Sequence, residues 1–457
     1  MNGESMNHYK PIWESIDSRP IPKWFSKAKF GIFIHWGVYS VPAFMPVSSE
    51  RYGSYAEWYY AKMGDDDVPE IADFHNKNYG EDHEYREFAK DFKAELFDPD
   101  AWADLFRRSG AKYVVLTSKH HDGYCLWPTK SPYKKNWNSM DIGPERDLVG
   151  DLTKAVRKKG LKMGLYYSIL EWETHPTQRV EAGRYIKKTL MEKYGIPIEK
   201  YVDGHLLFQL KELVNEYKPA LIFSDGGEWD YHDNYWKTKE FLAWLYNHAP
   251  NKDEVVVNDR WCKDMGAAHG DYFSSEYQDA TGLKENHPWE ESRGVGGSYG
   301  YNRAENIDDY CSSKELIHEL IDIVSRGGNL LLNVGPTADG RIPVIMQQRL
   351  IDIGNWLDIY GEAIYETHPW EKSRENKKDF LFFTKKGNLI YAICTKWPEN
   401  EIRLEFEKEA ENISLVGSSK NINCASKPGE IRIQIPNISP GEMESTFAFV
   451  FRIEMRP

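Results

Sequence analysis

Several short apolar runs in this sequence end in residues that could do chemistry. His35 and Trp36 close the first, and Lys119, His120, His121, Asp122 and Gly123 close the second. Asp225 is followed by Gly226 and Gly227, Asn258 to Trp261 (NDRW) close another run, and Glu276 closes one more. If these runs are parallel strands of one barrel, three histidines, an arginine and several carboxylates meet at its C-terminal face, where such barrels carry their active sites. Two chemistries use such a set. One is glycoside hydrolysis, with a carboxylate nucleophile and a carboxylic acid/base. The other is metal-dependent hydrolysis with His and Asp ligands. A metal site wants an H-x-H or H-E-x-x-H spacing. Adjacent His120 and His121 point to opposite faces of an extended strand and share one ion poorly unless the chain bends there. The residues favour a sugar substrate and no metal.

The elements that must position these groups are legible as alternating strand and helix. Strand-like runs are read at Phe30–Trp36, Tyr113–Lys119, Lys162–Ile169, Ala220–Asp225, Val255–Trp261, Asp271–Tyr277 and Asn329–Val334, with an eighth expected near Gly297–Tyr301. Asp98-Pro99 reads as an N-cap and first helical residue, Asp147 opens a helix that stops at Gly160, and Ser312 with Glu315 makes a capping box. Repeats of this number over roughly 300 residues predict a TIM-like (β/α) barrel over residues 1–362. No G-x-G-x-x-G follows a strand and no Walker A motif occurs, so dinucleotide and P-loop readings fail. After about residue 365 the runs are short and alternating, without a helix, which predicts a small antiparallel β-sandwich over residues 363–457. The charged stretch from Asp67 to Glu87 reads as a long loop, and Glu290 as the start of a helix.

Composition sets the outer bounds. The chain has 457 residues, 41% hydrophobic and 28% charged, which excludes a disordered chain or a disulfide miniprotein. A net charge of −13 argues against nucleic acid, and no apolar run is long enough to cross a membrane. Aromatics are in excess, with 16 Trp, 28 Tyr and 20 Phe, and flat rings stack well on sugars although most must be core. The five cysteines form no CxxC pair. Met1–Lys10 is polar, which leads to the expectation of a cytoplasmic protein, or a secreted one if a leader has been removed; the sequons at Asn412 and Asn437 matter only in the second case.

The strings FGIFIHWGVYSVPAF, FDPDAWADLFRRSGAKYVVLTSKHHDGYCLW, WNSMDIGPERDLVGDL, NDRW, SYGYN and GGNLLLNVGPTADG resemble the α-L-fucosidases of glycoside hydrolase family 29 over nearly the whole chain. The resemblance implies a retaining exo-hydrolase that releases α-L-fucose from fucosylated glycans and aryl fucosides, without a cofactor. It implies that Asp225 is the nucleophile, with Phe223 where the family usually has Trp. It implies Glu276 as general acid/base, with Glu290 or Glu291 as fallback. His35, His120 and His121 resemble the family's hydroxyl-binding histidines, and Glu57, Trp58, Tyr167, Arg260 and Tyr299 match further pocket positions. The expected partner is a fucosylated glycan, not nucleic acid or membrane, and a homo-oligomer stays open. So do a catalytically dead fucose-binding protein and a glycosidase for another 6-deoxy or galacto-configured sugar.

Overall fold

The computed structural model describes residues 8–48, 53–175, 186, 188–278, 287–373 and 376–456. Its first part is built on eight parallel strands: β1 (Phe30–Ile34), β2 (Tyr113–Lys119), β3 (Lys162–Ser168), β4 (Leu221–Asp225), β5 (Val256–Val257), β6 (Phe273–Glu276), β7 (Trp289–Gly294) and β8 (Asn329–Val334). They follow in the order β5-β4-β3-β2-β1-β8-β7-β6, so β1 pairs with both β2 and β8 and the sheet curls into a barrel. The helices cover its outside, as the TIM-like expectation required.

The barrel's seam lies between β5 and β6, and side chains stitch it. Val257 donates its N–H to Asp271 Oδ2 at 2.9 Å and accepts from the Asp271 N–H at 3.0 Å. Higher up, Asp259 Oδ1 takes the Ser274 N–H at 2.9 Å, while Asn258 exchanges hydrogen bonds with the Ser224 backbone of β4. The run expected as a strand from Val255 to Trp261 is therefore a strand only at Val256–Val257, and the polar side chains that follow replace the ladder bonds that the backbone gives up. Arg19 pairs with Asp271 at 3.1 Å and anchors the seam's lower end.

Strand periodicity sorts the residues into two layers. Phe33, Tyr113, Val115, Tyr166, Leu221, Phe223, Val256 and Leu331 fill the barrel, and Phe25 from the helix Lys23–Ala28 stacks on Tyr272 to close its base. Phe30, Ile32, Ile34, Val114, Leu116, Leu165 and Tyr167 face the surrounding helices. Predicted caps are present: Asp98 accepts from Ala101, Asp147 from Gly150, and Ser312 and Glu315 cap the helix Ser313–Ser325 reciprocally.

Two expectations are corrected. The eighth strand is Trp289–Gly294, not the Gly297–Tyr301 segment, so Glu290 and Glu291 lie on a central strand and open no helix. Charged residues disguised it: Glu290 turns inward to Tyr113 and Glu291 outward to Arg293, each with a partner. The supposed loop from Asp67 to Glu87 contains the helix Pro69–Asn78, whose buried Ile71 and His75 were hidden among charged neighbours, and a 3-10 turn at Tyr85–Lys90.

The C-terminal part has β9 (His368–Pro369), β10 (Leu381–Lys386), β11 (Leu389–Cys394), β12 (Glu401–Leu404), β13 (Ala410–Leu415), β14 (Cys424–Lys427), β15 (Glu430–Gln434) and β16 (Phe449–Met455). They form antiparallel sheets of five and three strands. On β11 and β16, Ile390, Ala392, Phe449 and Phe451 face the smaller sheet, and Tyr391, Ile393 and Val450 face the barrel's helices. His318 and Trp356 hydrogen-bond the Phe447 and Ala448 carbonyls across that junction.

Glu290 gives a test of the barrel interior. Burial pushes its carboxyl from 4.5 up to about 8, so the native chain holds a proton that the unfolded chain releases between those values. Stability should be greatest below the unfolded value and fall as pH rises through the folded one. Glu290→Gln should flatten that decline, read as the change in unfolding free energy between about pH 5 and about pH 9 in denaturant melts. An unchanged slope would contradict the buried, protonated assignment.

Candidate active site

Interior-facing positions at the upper ends of the strands converge on one carboxylate. On β4 the phase Leu221, Phe223, Asp225 carries the apolar filling upward into an acid at the rim. Gly226, at φ +76°, turns the chain there and returns its N–H to Asp225 Oδ1 at 3.0 Å. Tyr166 of β3 donates its hydroxyl to Asp225 Oδ2 at 2.7 Å. His121 Nε2 lies 3.3 Å from the same oxygen, and Arg260 Nη1 lies 3.6 Å from Oδ1. Burial alone would raise this carboxyl, but His121, Arg260 and Tyr166 outweigh it and hold Asp225 well below the usual carboxylate range. Asp225 is thus held as a charged carboxylate at the rim.

The histidines surround it from β1 and β2. Strand β2 slips register between Thr117 and Lys119 and ends there, so the chain bends and brings both His120 and His121 to the pocket, their rings 4.4 Å apart. His121 Nδ1 meets Ser168 Oγ at 2.5 Å, so both its ring nitrogens are engaged. His35 bonds Asn333 at 2.7 Å and stacks on Tyr299 at 4.8 Å, and burial pushes it down to about 4, leaving a neutral ring. His120 is buried beside them, stacked along Tyr166 and likewise lowered by burial. Neutral imidazoles next to an anion suit hydroxyl recognition, since each can donate and accept. Among the described residues, no group of three His, Cys, Asp or Glu side chains is arranged to hold a metal ion.

A second carboxylate stands across the mouth. Glu276, the last residue of β6, accepts from Arg260 Nη1 at 3.1 Å, so one guanidinium nitrogen touches both acids. Tyr55 stands beside Glu276, its phenol raised by burial and next by the Glu276 charge. Arg260 is itself oriented by Ser274 at 2.9 Å and lies over Phe223, which packs on Phe33 and Tyr166 where a larger ring was expected. Glu57 is buried, accepts from Gly300 at 2.8 Å and is pushed up to about 7 by burial. Trp58 packs edge-on to His121 and Trp172.

Some expected residues are elsewhere. Tyr167 faces outward and donates to Gln209 at 2.9 Å, because alternation along β3 gives the interior to Tyr166. Glu290 lies in the barrel interior against Tyr113, which opens β2, and Glu291 is on the outer face. Conversely, Tyr166, Ser168, Asn333, Glu228 and Trp229 join the site without having been singled out. Tyr166 shares the strand phase of the pocket residues, and Glu228 with Trp229 follows Asp225 within four residues, so local signals were present. Glu228 is pushed up to about 8 by burial and by the charge of Asp225. The Trp229 ring is 4.9 Å from that of His121.

Comparison with known proteins fits this geometry. The family profile described as "Alpha-L-fucosidase" matches residues 2–362, and that of the "Alpha-L-fucosidase C-terminal domain" matches residues 374–454. The tissue alpha-L-fucosidase of Bos taurus is 42% identical over 451 residues, covering 97% of this chain and 91% of the relative. The plasma alpha-L-fucosidase of Rattus norvegicus is 41% identical, covering 95% and 92%. The crystal structure of Thermotoga maritima alpha-fucosidase in complex with fucose superposes with a TM-score of 0.80 at 38% identity, covering 97% of this chain and 100% of that one. These relatives overturn the expectation of a cytoplasmic protein, since they are named for tissue and for plasma. That expectation rested on ten polar residues, which bear only on a leader within them.

Tyr166→Phe should raise the pKa of Asp225 by removing one donor. The acid limb of kcat/KM on an aryl α-L-fucoside then moves to higher pH and the rate falls about tenfold or more. Tyr167→Phe should leave the limb where it is. pH–rate profiles of both variants decide this, and an unmoved limb in Tyr166→Phe contradicts the assignment.

Proposed function

The chain belongs to the α-L-fucosidase family, and from that premise we propose that it removes terminal α-L-fucose by double displacement, with Asp225 as nucleophile and Glu276 as general acid/base. The observation that carries this reading is the largely buried Asp225 carboxylate, met by the Tyr166 hydroxyl at 2.7 Å, His121 Nε2 at 3.3 Å and Arg260 Nη1 at 3.6 Å, which together hold it charged. An ionised carboxylate that stays charged without bulk water is what attack on an anomeric carbon needs.

In the first step the Asp225 carboxylate bonds to the anomeric carbon while the Glu276 carboxyl gives its proton to the departing glycosidic oxygen. The sugar–oxygen bond breaks and a covalent fucosyl-enzyme forms. In the second step the Glu276 carboxylate takes a proton from water, whose oxygen attacks the same carbon and releases fucose and Asp225. Arg260, in reach of both acids, suits a pair that must work on one sugar. Fucose lacks a 6-hydroxyl, so an apolar contact to its methyl discriminates by only ~1–3 kcal/mol. The neutral His35 and His120 and the buried Glu57 read the hydroxyls, with Trp58 and Tyr299 as ring walls. The relative crystallised with fucose supports the same sugar in this pocket.

Glu228 gives a second reading of the acid/base role, because its carboxyl is raised by burial and by Asp225, the pattern of a proton donor beside a nucleophile. Glu276 is preferred for its position on the strand rim, bonded to Arg260 and facing the mouth.

Azide separates the roles. Asp225→Gly should be inactive on an aryl α-L-fucoside and recover with azide to give the inverted β-fucosyl azide. Glu276→Ala should recover with azide to give the retained α-azide. If Glu276→Ala stays near normal on a poorly activated substrate while Glu228→Ala yields the α-azide, the role passes to Glu228.

A further inference from the structure

Behind the histidine pair lies a fully buried ionic cluster that no step of the hydrolysis uses. One oxygen of Glu171 accepts from Lys119 Nζ at 2.5 Å and from His205 Nε2 at 2.7 Å. The other accepts from Lys134 Nζ at 2.5 Å and from the Thr174 hydroxyl. Lys119, Lys134 and His205 have no exposed side-chain surface, and Glu171 has 1%. Burial pushes His205 down to about 4 and also lowers Lys119, so two lysine nitrogens and one imidazole nitrogen converge on a single carboxylate, with Lys119 also resting on the Tyr167 ring at 3.9 Å. Burying such charges is costly, and apolar side chains would fill the volume without that penalty. What charges supply and apolar groups do not is direction.

The direction is toward the site. Lys119 immediately precedes His120 and His121, and Glu171 follows the end of β3. Between these two segments the Trp172 N–H donates to the His121 carbonyl at 2.9 Å. His121 Nδ1 meets Ser168 Oγ, whose hydroxyl bonds the Leu170 carbonyl beside Glu171. Gly123, at φ +75°, completes the clamp: a methyl group there would lie 2.5 Å from Lys134 Nζ and 2.8 Å from Glu171 Oε2. The lysine and the glycine that flank the two histidines in KHHDG thus both close on the same carboxylate.

We propose that Glu171 is a positioning residue for the hydrolysis: it touches no sugar, but fixes the loops that follow β2 and β3 so that His121 Nε2 addresses Asp225. This rests on the reading of Asp225 as the nucleophile. Glu171→Gln keeps the shape and loses the charge, and Thr174→Val removes one donor while keeping the cluster's volume. In an otherwise unsubstituted enzyme, Glu171→Gln should lower kcat/KM on an activated aryl α-L-fucoside by about 10²-fold, the scale of a small misplacement of a reacting group, and Thr174→Val by less. In a His121→Asn background both losses should vanish, because the residue through which they act is gone. Equal losses in both backgrounds, or none in either, would overturn the proposal.

A second readout needs no turnover. The ring ¹⁵N shifts of His121 should move in both variants while far-UV circular dichroism stays native, and unmoved shifts would overturn the proposal. If Glu171→Gln does not fold, Thr174→Val carries both measurements. If the unsubstituted protein does not cleave the fucoside, it is the functional reading that fails, and the ring shifts still decide the role of Glu171.

Discussion

A carboxylate that must stay charged in a largely buried place is the constraint around which this molecule is arranged. Asp225 meets it with three donors from three different strand ends: Tyr166 from β3, His121 from beyond β2 and Arg260 from beyond β5. The same burial raises Glu57 and Glu228 to about 7 and about 8, because Gly300 and Ser298 do not offset it at Glu57 and the charge of Asp225 adds to it at Glu228. One environment therefore separates acids into an anion and proton carriers, and the difference lies in donors rather than in depth.

The barrel makes the convergence possible because strand alternation gives each strand a single interior column. Phe33 leads up to His35, Tyr113 and Val115 to the bend at His120, Phe223 to Asp225, and Leu331 to Asn333. The apolar lower part of each column fixes the height and direction of the polar residue above it. Where a strand is too short to do this, as at Val256–Val257, the side chains of Asn258 and Asp259 take over the ladder bonds and leave Arg260 directed at the mouth. The cluster at Glu171 is the equivalent device for the histidine loops.

Much of this could be read from the residues. Seven of the eight barrel strands were apparent as short strand-like runs alternating with helices, and the helix caps at Asp98, Asp147 and Ser312 lie where expected. The failures share a cause. Strand β7 reads WEESRG, and the helix Pro69–Asn78 reads PEIADFHNKN; in both, charged residues with specific tertiary partners mask the period, and those partners are invisible in one dimension. The convergence of His35, His120, His121, Asp225, Arg260 and Glu276 was legible because strand ends are. Tyr166 was missed for its neighbour Tyr167, a one-residue slip that alternation turns into the opposite face. Asn333 and Ser168 required the folded chain, since their part in the site is set by burial and by what they meet.

The central claim, that Asp225 forms the covalent bond to the sugar, is tested most directly by trapping. Reaction with a 2-deoxy-2-fluoro fucosyl fluoride, digestion and tandem mass spectrometry should find the fluorosugar on Asp225, resolved from Glu228 on the same peptide. A label on Glu228, Glu276 or any other residue, or inactivation with no label at all, would contradict the account.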